Sequence, residues 1–173
     1  MQKGLRVGVL LFRLFLMPLA VSGGIARGAE GKYPLGPDPR LTTGTLCQRG
    51  GTLRYPERIR YCARDVSSSE KDAIIDDYER LGYSIRSHGR GDFKIDHLIP
   101  LCVGGSNEAS NLWPQHRDVY EQTDKIEQFA CELMAQGKLK QREAIDLILG
   151  AKNNLGTAAG VEARLDRMRS GRR

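Results

Sequence analysis

Residues 94–115 read Lys-Ile-Asp-His-Leu-Ile-Pro-Leu-Cys-Val-Gly-Gly-Ser-Asn-Glu-Ala-Ser-Asn-Leu-Trp-Pro-Gln, and the fold is decided within them. Phe93 to Ile95 is a short apolar strand closed by the pair Asp96–His97, and Leu98 to Val103 supplies a second extended run. Gly104 and Gly105 suit a turn that needs positive φ. Past Asn111 and Pro114 the pattern turns helical. Ile126, Phe129, Ala130, Leu133 and Met134 recur at helical spacing, and Gly137 ends the helix. Trp113, the single tryptophan, is expected in the core.

On a strand, neighbouring side chains point to opposite faces. An Asp-His pair at a twisting strand end can therefore offer a carboxylate to a cation and an imidazole to a water. Histidine is the side chain whose ordinary pKa lies near working pH, and a hard cation such as Mg²⁺ suits carboxylate oxygens. The stretch resembles the HNH motif of metal-dependent nucleases, a strand, loop, strand and helix around one divalent ion. The runs Ile-Asp-His-Leu-Ile-Pro-Leu, Gly-Gly-Ser-Asn and Asn-Leu-Trp-Pro-Gln carry the resemblance. From Leu41 to Ala151 the chain is similar to a group of exported bacterial HNH proteins, through Leu46-Cys47, Gly137-Lys138-Leu139 and Glu143-Ala144-Ile145.

The resemblance implies an α+β fold with a ββα-metal nuclease core wrapped by additional helices. It also implies an endonuclease that hydrolyses phosphodiester bonds with Mg²⁺, or with Mn²⁺. It assigns Asp96 to the metal, His97 to the general base and Asn111 to orienting that base. The family's further metal-ligating position falls at Tyr120 and Glu121, where Glu121 offers an oxygen ligand; His116 and Asp118 match the spacing less well. Arg90 and Lys94, with Arg86, run up to the Asp-His pair and are the expected contacts to nucleic acid, DNA ahead of RNA. The rival readings are a non-catalytic module of the same fold, binding nucleic acid or a protein partner, and a disulfide-stabilised structural protein.

The amino terminus is a separate matter. Lys3 and Arg6 lead an apolar stretch from Val7 to Val21, broken by Arg13, and small residues cluster from Ser22 to Ala29. This is the layout of a cleaved export signal over residues 1–28, an uncut anchor being the alternative. The expected product is periplasmic or secreted, monomeric, and free of stable membrane association. The chain's net charge of +6, from 27 basic and 21 acidic residues, includes Lys3, Arg6, Arg13 and Arg27. Without those four it is only +2, so global charge says little about nucleic acid.

Residues 29–45 are an irregular lead rich in Gly, Pro and Thr, residues 46–151 the nuclease domain, and residues 152–173 a basic, flexible tail. Cys47, Cys62, Cys102 and Cys131 contain no Cys-x-x-Cys pair, which argues against a zinc knuckle. In an exported chain they read as two disulfides. Three connectivities are open, with Cys47–Cys62 favoured because Gly50-Gly51 can fold the intervening segment. Ser67 and Glu70 match a capping box opening a helix with Ile74, Ile75, Tyr78 and Leu81 on one face, and Gln141 to Leu149 form another.

Overall fold

The structure is a computed structural model that describes residues 33–171. The expected export signal lies outside the described residues, as do Arg172, Arg173 and the side chain of Arg90. The fold is α+β: two antiparallel two-stranded sheets and four α-helices among the described residues. Strands β1 (Thr52–Arg54) and β2 (Ile59–Tyr61) form the first hairpin. Helix α1 (Ser68–Arg80) follows, and the Ser67–Glu70 capping box is present in both directions, satisfying amides the first turn would otherwise leave unpaired.

Strands β3 (Phe93–His97) and β4 (Leu112–His116) pair with Asp96 opposite Trp113 and His97 opposite Leu112. Leu98 to Val103, expected as the second strand, is instead loop with a 3₁₀ turn at Leu101–Val103. The cause is Asn111. The Ile99 N–H donates to its Oδ1, and its Nδ2 donates to Ile99 O, so a side-chain amide takes the place of a partner strand. Pro114 is tolerated within β4 because a two-stranded sheet leaves one backbone edge unpaired. Gly104 has φ 92°, and a Cβ at Gly105 would meet Ile99 O at 1.8 Å, so the glycine pair supplies both a left-handed turn and a close approach.

Helix α2 (Arg117–Ala135) leaves β4 directly, and α3 (Gln141–Asn153) and α4 (Ala158–Ser170) pack beside it. One core joins α2, α3 and α4 through Ile126, Ala130, Leu133, Ala144, Ile148 and Leu165. The other joins α1 to β3 and β4 through Ile75, Tyr78, Ile95, Leu112 and Trp113. Val119, in the first turn of α2, belongs to the second core, so α2 ties the two together.

The stretch read as a flexible basic tail is corrected by α4. Val161, Leu165 and Met168 recur at i, i+4 and i+7, and Leu165 is fully buried. The arginines that masked this stripe pack outward: Arg164 pairs with Glu143 at 2.6 Å, and Arg169 lies over the Phe129 ring. Both disulfides are present, Cys47–Cys62 and Cys102–Cys131, with Cα separations of 5.7 and 5.9 Å. The second ties the loop after β3 to α2. No helix among the described residues is long and apolar enough to cross a membrane.

Candidate active site

Asp96 and His97 end β3, and the alternation of the strand sends them to different neighbours. Asp96 faces α2 and α3. His97 turns towards the segment that follows Cys62, where Asn107 and Arg64 meet its ring.

The His97 ring is buried and held at both nitrogens. Nε2 lies 3.0 Å from Asn107 Oδ1, and Asn107 Nδ2 donates in turn to Ala63 O at 2.7 Å. Nδ1 lies 3.4 Å from a guanidinium nitrogen of Arg64, whose other terminal nitrogen donates to Ile95 O at 2.8 Å. Arginine has donors only, so the Nδ1 that faces it carries a lone pair and the ring proton is assigned to Nε2, donated to Asn107. Burial lowers the ring's pKa, the Asn107 bond opposes that, and the Arg64 guanidinium lowers it further. The net direction is down, so the imidazole is neutral at neutral pH with its basic nitrogen at Nδ1.

Asn111, which the resemblance assigns to orienting this ring, makes no hydrogen bond to it. Its amide is fully buried and is used up on Ile99 and on Ser106 O. The asparagine that meets His97 is Asn107, four positions earlier. Glu121 is exposed and stands outside the acidic group. That group is Asp96, Asp124 and Glu127, which offer carboxylate oxygens within 4.8 Å of one another. The face of α2 towards β3 carries Tyr120, Asp124 and Glu127, spaced i, i+4 and i+7; Lys94 stacks over Tyr120 and bonds Asp124 at 2.7 and 2.9 Å. Glu121 is rotated off that face by about 100°.

A hard divalent ion suits three carboxylates, but a lysine already holds two of them. Lys152 Nζ, from α3, lies 3.1 Å from Asp96 Oδ2, 2.7 Å from Glu127 Oε1 and 2.6 Å from His97 O, and its side chain is fully buried. Burial alone would raise the Asp96 carboxyl; the ammonium groups of Lys152 and Lys94 outweigh it and hold it below its ordinary range. Glu127 goes the other way. Burial lifts it to about 7 against the pull of Lys152, with the Asp96 charge adding to the rise. Burial would lower Lys152, but Glu127 and Asp96 together raise it and keep it charged. In this arrangement the three carboxylates do not fit a resident divalent ion, because the room between two of them holds an ammonium.

Beside β3 runs a groove of about 240 Å³ lined by Arg64, Lys71, Ile75, Phe93, Lys94 and Ile95. Three cations on an apolar floor suit a phosphate backbone. Arg64 thus belongs both to the groove and to the His97 ring. No family model matches the chain, and neither does any curated protein or solved structure.

Proposed function

We propose that the protein is an exported nuclease of the HNH type, cleaving phosphodiester bonds of nucleic acid, with β3, β4 and α2 as its catalytic core. The observation that carries this reading is the hold on His97: a buried ring fixed through Nε2 by Asn107, its Nδ1 turned to an arginine that lines a cationic groove. Export is supported by the two disulfides and by the leader pattern over residues 1–28.

A phosphodiester entering the groove competes with His97 for Arg64. When the guanidinium turns to a phosphate oxygen, Nδ1 is free to take a proton from the attacking water. Water adds to phosphorus in line, the bond to the leaving oxygen breaks and that oxygen takes a proton from solvent water, while Arg64 and Lys71 offset the charge that develops on the phosphate. Asp96, ionised and fixed by Lys152, lies beside the base on the same strand.

The non-catalytic reading has its own support, since Asn107 covers Nε2 and Lys152 neutralises Asp96. Incubating the disulfide-bonded protein with plasmid and with RNA, in Mg²⁺, in Mn²⁺ and in chelator, separates the two. Cleavage lost in Arg64→Ala supports the nuclease; no cleavage under any condition, with nucleic acid still bound, supports the module.

A further inference from the structure

Asp96 on β3 and Glu127 on α2 face each other as two carboxylates that grip a hard cation do, yet the group between them is an ammonium. Lys152 Nζ donates to Asp96 Oδ2 and to His97 O, and forms an ion pair with Glu127 Oε1 at 2.7 Å. The lysine is delivered there by its helix. Ala144, Ile148 and Lys152 follow at i, i+4 and i+8 along the buried face of α3, so the ammonium enters the site through the apolar core. A divalent ion on the same carboxylates would stand against this charge in a buried setting, where repulsion is poorly screened. It would also have to strip two hydrogen bonds and an ion pair from a fully buried group.

We propose that Lys152 is the built-in cation of this site, holding Asp96 beside His97 in place of a divalent ion, so that the folded protein takes up no Mg²⁺ or Mn²⁺ at Asp96, Asp124 and Glu127. What Asp96 serves rests on the nuclease reading; the exclusion of the ion rests on the packing of Lys152 alone. Lys152 is a positioning residue, since it is fully buried and acts through Asp96.

The test is Mn²⁺ binding by calorimetry to the oxidised full chain and to Lys152→Met, without nucleic acid, counting only the binding that Asp96→Asn removes. The wild type is expected to show none at millimolar Mn²⁺. K152M is expected to gain one site, tighter by at least roughly tenfold, because a charge this close has been removed. If K152M is unfolded in ion-free buffer, Mn²⁺ is expected to restore its circular dichroism by taking the ammonium's place. Asp96-dependent binding in the wild type overturns the proposal, as does a folded K152M that binds no ion, or an unfolded one that Mn²⁺ leaves unfolded. Cleavage enters none of these readings, so failure of the nuclease assignment leaves the result interpretable.

Discussion

Asn107 and Asn111 stand four positions apart on one loop and hold different things, which makes them a sharp pair to mutate. Asn111→Ala strips hydrogen bonds from Ile99 N, Ile99 O and Ser106 O in a fully buried place. Buried groups left unpaired cost about 1–3 kcal/mol each before relaxation, so urea denaturation is expected to show a loss of roughly 2–4 kcal/mol. Asn107→Ala frees one buried ring N–H rather than three backbone groups, so it is expected to cost less stability and to act chiefly on the ring. The Asn107 bond is what opposes the lowering of the His97 pKa, so its loss is expected to move that pKa further down in a proton NMR titration. A His97 pKa that shifts in the Asn111 variant and not in the Asn107 variant contradicts this division.

Among the elements, α4 decides whether the carboxyl-terminal region is tail or core. Leu165 is fully buried within the three-helix core, so Leu165→Ala is expected to cost about 2–5 kcal/mol, whereas in a loose tail it would cost nothing measurable. The Cys102–Cys131 bond closes a sequence separation of 29 residues, worth roughly 3–4 kcal/mol in the chain-entropy model. The double variant Cys102→Ser, Cys131→Ser is expected to melt lower and to loosen the loop between β3 and β4. An unchanged melting temperature would show that the bond constrains nothing. The strand ending in Asp96–His97, the capping box at Ser67 and the long helix before Gly137 were legible because each rests on local chemistry. The second strand was not, because the Asn111 amide replaced a ladder that periodicity alone suggested at Leu98–Val103. Arg64, Asn107 and Glu127 were missed because loop closure and helix facing, not sequence spacing, bring them to β3. Lys152 did leave a signal: a lysine at the third step of the apolar row Ala144, Ile148 is out of place unless something buried awaits it.

Across the whole molecule, the described part of the irregular lead, residues 33–45, is fastened to the core. The Asp38 N–H donates to Tyr78 Oη, Thr42 bonds Tyr78 Oη and Leu112 O, and the Asp38 carboxylate takes Arg40 and Tyr83. Arg40 is the chief reason the Asp38 carboxyl falls from 3.8 to about 2. A carboxyl depressed by folding contributes stability above its ordinary pKa and loses it as pH falls through the folded value. With Arg40 half in water, the contribution is roughly 1–2 kcal/mol. The stability gap between wild type and Asp38→Asn, measured in urea, is therefore expected to be complete above about pH 4 and to close towards pH 2; a gap constant over that range would remove the linkage. Residues 29–173 carry only +2 and so have little long-range field; binding of nucleic acid should draw on the groove formed by Arg64, Lys71 and Lys94. On the proposed mechanism His97 is the base beside that groove. Its most direct measurement is the cleavage rate of nucleic acid against pH for the wild type and His97→Ala, each shown folded by circular dichroism. Wild-type cleavage is expected to persist below the ordinary histidine pKa of about 6.5, as a depressed base requires, and the variant to lose ~10²–10⁴ in rate. A folded His97→Ala that cleaves at the wild-type rate would contradict the mechanism.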